Sequence, residues 1–71
     1  MAPKMRDVYS STVDQIGYDE ASREFHVQWQ SGKLSVYSDV PPEKAAEIQG
    51  SASMGQAIHR LLKNQHDHEY R

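Results

Sequence analysis

Seventy-one residues carry eight basic and ten acidic side chains, a formal charge of −2, and no cysteine. That length supports one domain with a small core. The charge argues against a broad electrostatic grip on nucleic acid but leaves room for a local patch, and the lack of cysteine excludes disulfides and thiolate chemistry.

No apolar run approaches the length of a membrane span, and Met1-Ala2-Pro3-Lys4-Met5-Arg6 lacks the apolar stretch of a signal peptide. A cytoplasmic protein without membrane contact is expected. Residues 1–7 are polar and read as a flexible N-terminal tail. Residues 8–65 form the single domain, and 66–71 a flexible C-terminal tail, with fraying expected from Asn64 onward. Residues 8–18 predict a first strand anchored by Val13, Ile16 and Tyr18. Val13 and Ile16 are three apart, so a bulge near Asp14-Gln15 is needed for both to point inward. Residues 19–23 make a polar loop.

A hairpin over residues 24–38 is the centre of the chain. Phe25, Val27 and Trp29 alternate with His26, Gln28 and Gln30, the period of a strand with one wet face. Ser31-Gly32 suits a two-residue turn, since glycine accepts positive φ cheaply. That turn would place Gln30 opposite Lys33, Trp29 opposite Leu34, Gln28 opposite Ser35, Val27 opposite Val36 and His26 opposite Tyr37. Opposed residues share a face. Phe25, Val27, Trp29, Leu34 and Val36 would then form the core side, with Tyr37 on the other.

Pro41-Pro42 ends the sheet, and Pro42 fits the first turn of a helix that Gly50 stops. Ser53 followed by Gln56 reads as a capping box. Met54, Ala57, Ile58, Leu61 and Leu62 then repeat at helical spacing. The fold predicted is α+β: a three-stranded antiparallel meander with two short C-terminal helices packed on one face.

Two surfaces stand out. The first is the sheet face turned away from the helices, with His26, Gln28, Lys33, Ser35 and Tyr37; an aromatic there can stack on a base or anchor a protein. The plainer reading is that tyrosine favours strands. The second is a basic stripe on the last helix. His59, Lys63 and His66 are spaced by four and three, with Arg60 adjacent and His68 and Arg71 beyond. Asp67 and Glu69 dilute that charge, so a solvated face is the alternative. His66-x-His68 lacks a third ligand, so no metal and no cofactor are expected. Ser10-Ser11, Asp14, Asp19 and His26 could be assembled into a hydrolytic set. No nucleophile elbow or phosphate loop accompanies them, so no enzyme is expected.

Taken in order, Ser10-Ser11, Ile16-Gly17-Tyr18-Asp19, Phe25-Val27-Trp29, Gly32, Tyr37, Val40-Pro41 and Ser51-x-Ser53-x-Gly55 resemble the KTSC domain. That short module is found at the C-terminus of some lysyl-tRNA synthetases and as a stand-alone protein in bacteria and phages. The resemblance spans roughly residues 8–62. It implies a module with no established enzymatic activity, for which RNA binding has been suggested. The usual Tyr-x-Tyr centre of the family is here Ser35-Val36-Tyr37, without the first tyrosine.

The function expected is therefore binding. The first reading is a small regulator that docks on a larger protein, such as a component of the transcription or translation machinery. The first strand or the 33–38 edge would accept a partner strand. The alternative is an RNA-binding domain that uses the open sheet face and the basic stripe. Oligomeric state is not legible.

Overall fold

The computed structural model describes residues 3–63 and 65–71; Met1 and Ala2 of the expected N-terminal tail, and Asn64, lie outside the described residues. The strands are β1 (Arg6–Asp7), β2 (Val13–Asp19), β3 (Glu24–Trp29), β4 (Leu34–Tyr37) and β5 (His68–Tyr70). Helices α1 (Pro42–Gln49) and α2 (Met54–Leu61) lie between β4 and β5. All neighbours are antiparallel, in the order β1-β2-β3-β4-β5. The α+β class is as expected, but the sheet has five strands, not three. Both chain ends, read as tails, carry the edge strands.

The bulge predicted in β2 is present. Pairing with β3 slips between Val13 and Gln15, and both Val13 and Ile16 are buried. An extra residue at that point returns two residues of odd spacing to one face.

The central hairpin differs from expectation by one residue. Gly32 N–H donates to Trp29 O at 3.0 Å, and Trp29 N–H donates to Lys33 O at 2.8 Å. The loop is thus Gln30-Ser31-Gly32, closed by Trp29 and Lys33, with Gly32 at φ +98°. This is a three-residue turn with its last residue left-handed, a geometry open to glycine. The pairs that result are Phe25 with Tyr37, His26 with Val36, Val27 with Ser35 and Gln28 with Leu34. Because side chains alternate, one residue of slip turns all of β4 over. Ser35 and Tyr37 face the helices; Leu34 and Val36 face away.

The core lies between the sheet and the helix pair. Val13, Ile16, Phe25, Val27 and Tyr37 meet Ala45, Ile48, Met54, Ala57, Ile58 and Leu62, with Val40 from the connection. Pro42 occupies the first turn of α1, and Gly50 caps its end. At α2 the expected capping box does not form. Ser53 is the N-cap but its hydroxyl makes no cap bond; instead Ser53 N–H donates to Ser51 Oγ at 3.2 Å.

The opposite face is not a bare polar surface. Gly17, His26, Val36 and Glu69 form one row across it. A Cβ on Gly17 would come within 2.7 Å of Met5 Sδ and 3.0 Å of Lys4 O, because residues 3–5 cross over this glycine. Val36 and His26 are buried in that row. Beside the row, Glu24 accepts from Arg71 at 3.2 Å.

Candidate functional site

The sheet-face set is dismantled by the register. Tyr37 is only 6 % exposed and packs in the helix-side core. Ser35 is also on that side, buried, and accepts from Trp29 Nε1 at 2.6 Å. His26 stays on the far face but is 2 % exposed, its Nε2 3.2 Å from Glu24 Oε1. Gln28 spans the turn and donates to Lys33 O. Lys33 is exposed, its ammonium 5.3 Å from the ring centre of Tyr70. No open face unites the five residues. The 33–38 edge named as a strand acceptor is itself covered by β5.

What the fold builds instead is a cleft of about 500 Å³ between α2 and the β4–β5 corner. Trp29, Ser35 and Tyr37 line its sheet side, His68 and Tyr70 its outer side, and Ile58, His59, Lys63 and His66 its helix side. Aromatic rings run in a chain along it. Tyr37 and His68 centres are 4.9 Å apart, and His68 and Tyr70 meet edge-on at 4.6 Å. Burial pushes the Tyr37 phenol above its ordinary range, with the Tyr70 ring group adding to that, so it stays a neutral donor at physiological pH. No acidic side chain is among the lining residues.

The basic stripe divides. His59 and Lys63 are exposed and reach the cleft. Arg60 turns to a neighbouring hollow of about 700 Å³ beside Tyr9 and Ser10-Ser11-Thr12, and pairs with Glu47 at 3.7 Å. His66 is a strut: Lys44 Nζ donates to its Nε2 at 2.9 Å, and its Nδ1 donates to Ser38 O at 2.9 Å. Those two partners hold the ring in its Nδ1–H form and tie α1 to the end of β4. Arg71 points to Glu24 and Glu69 rather than to the stripe.

Sequence reasoning missed Tyr70 as a site residue, and placed Trp29 wholly in the core although it is half-buried at the cleft wall. The alternation of His68 and Tyr70 was the available signal for β5, masked by the surrounding charges.

The hydrogen bonding of β5 completes the geometry. Arg71 N–H donates to Leu34 O, and Ser38 N–H donates to Asp67 O, each at 2.9 Å. In an antiparallel ladder the bonded pairs alternate. Asp67, Glu69 and Arg71 therefore bond inward to β4, and the main-chain groups of His68 and Tyr70 point outward. β5 is an edge of the sheet, so among the described residues those groups have no strand partner.

The residues that carried the family resemblance have structural duties nearby. Ser10 Oγ accepts from the main-chain N–H of Thr12 and Val13, both at 3.2 Å, shaping the turn into β2. Gly55 lets the first turn of α2 press on that turn; a Cβ there would be 2.9 Å from Thr12 Oγ1.

Comparison with known proteins agrees with this architecture. A KTSC domain protein from Yersinia pestis superposes with a TM-score of 0.93 over 99 % of each chain at 23 % identity, a likeness of fold. A protein of Stutzerimonas stutzeri (strain A1501) is 33 % identical over 57 residues, 80 % of either chain. One from Tsukamurella paurometabola is 29 % identical over 59 residues, 83 % of this chain and 88 % of its own. The family model described as "KTSC domain" matches residues 9–66. The chain belongs to the KTSC domain family.

Proposed function

We propose that the domain is a non-enzymatic binding module that docks on a larger protein in the cytoplasm by accepting one of its strands along β5. The observation that carries this reading is the outward main chain of His68 and Tyr70 beside the cleft. An added strand would satisfy those groups and project alternate side chains toward the cleft. Among the described residues no helix is long and apolar enough to cross a membrane.

The test uses the tagged full chain in a pull-down from its native cell, after nuclease treatment. Tyr70→Pro removes the outward N–H while sparing the bonds to β4, a position where an edge strand tolerates proline. Tyr70→Ala removes the ring but keeps the N–H. Capture that survives nuclease, persists in Tyr70→Ala and is lost in Tyr70→Pro supports strand addition. Capture indifferent to Tyr70→Pro contradicts it.

A second reading, single-stranded RNA in the cleft, is favoured by the aromatic chain next to Lys63 and His59. It predicts affinity that falls steeply with salt and a loss of ~1–3 kcal/mol in Tyr70→Ala if a base stacks there. No affinity for oligouridylate at low salt would remove it.

A further inference from the structure

We propose that the strand accepted by β5 is one whose charges alternate, with acidic residues turned into the cleft and a basic residue between them. This deepens the strand-docking reading and rests on it.

Residues directly opposed across two strands share a face. His68 and Tyr70 line the cleft, so incoming residues opposite them point to the same side, toward Lys63 and His59. Lys33 reaches over Tyr70 at the other end of this wall. With no acidic side chain lining the cleft, a carboxylate entering there meets Lys63 and phenol, imidazole and hydroxyl groups without a like charge opposing it. The incoming residue opposite Glu69 falls on the far face. There Glu69 stands with Glu24 around a single Arg71. Two carboxylates share one guanidinium, so the local balance is negative, and a lysine or arginine opposite Glu69 complements it. In the register centred on Glu69, a second copy as occupant would set Glu69 against Glu69 across the two-fold.

The probe is the end-blocked peptide Thr-Val-Glu-Lys-Glu-Val-Thr, titrated into the isotope-labelled full chain and followed by amide shifts. The control Thr-Val-Glu-Glu-Lys-Val-Thr has the same composition and net charge but breaks the alternation. The expected result is shifts centred on the His68, Glu69 and Tyr70 amides. Affinity should be roughly tenfold greater for the alternating peptide, about 1.4 kcal/mol. Lys63→Glu, on the exposed helix face, should weaken the alternating peptide to the level of the control and so abolish that preference. Equal binding of both peptides at β5 overturns the charge rule and leaves strand docking standing. The absence of β5 shifts with every peptide overturns both. Shifts in the cleft with oligouridylate alone make RNA the occupant and overturn both.

Discussion

Tyr37 stands opposite Phe25, not opposite His26. That pairing puts the phenol ring under the helices and makes it part of the core and of the cleft wall at once. The cause is local: Gly32 takes φ +98° and closes a three-residue loop. Every assignment of β4 side chains to a face follows from this one turn.

Replacing Tyr37 therefore tests burial. Tyr37→Ala should cost about 3–5 kcal/mol in denaturant unfolding, the range for a large aromatic removed from a core. Tyr37→Phe should cost less than about 1 kcal/mol, because the hydroxyl borders the open cleft and not a closed polar network. On an open sheet face Tyr37→Ala would be mild, so a loss within about 0.5 kcal/mol contradicts the assignment.

Gly32→Ala isolates the turn. Nothing lies within 4 Å of a Cβ at this position, so only backbone strain opposes the change. A loss of about 1 kcal/mol is expected, with the fold retained. Ser31→Ala, next door and exposed, should be close to neutral by the same thermal melt.

Acid sensitivity should trace in part to Glu24. The ring hydrogen bond from His26, followed by the charge and hydrogen bond of Arg71, holds its carboxyl below the ordinary 4.5. A depressed folded-state value gives stability that is full above 4.5 and is lost as pH falls through the folded value. The urea midpoint should thus decline below pH 4.5, and Glu24→Gln should flatten that part of the curve. An unchanged slope in Glu24→Gln would remove Glu24 as the source.

Glu69 should guard the sheet against self-pairing. Its carboxylate is 2.6 Å from Arg71, and a two-fold strand pair centred on Glu69 would face it with its own copy. Glu69→Thr should raise concentration-dependent dimerisation in sedimentation velocity. Dimers that form equally well with and without Glu69 would show that some other surface controls association.

Much of this architecture is legible in the residues. The odd spacing of Val13 and Ile16 announces the bulge, and the stripe of Met54, Ala57, Ile58 and Leu62 announces α2. Turn length is not legible, because Ser31-Gly32 suits both a two-residue loop and the end of a three-residue one. Leu34 and Val36 then mislead. They look like core on the helix side, but Val36 is buried on the other face, in the row with His26, Gly17 and Glu69. β5 escapes notice because His-Asp-His-Glu-Tyr-Arg reads as a solvated tail; it is held by main-chain bonds to Leu34 and Ser38, which composition does not report. The cleft depends on both features, so it could not be seen before the register was known.

Cross-strand nuclear Overhauser effects between Hα protons test that register most directly, since they are strong only at the non-hydrogen-bonded pairs of an antiparallel ladder. Contacts between His26 and Val36 and between Gln28 and Leu34 are the predicted result. Contacts between Val27 and Val36 and between Trp29 and Leu34 would contradict it. They would return Tyr37 to the far face and dissolve the cleft.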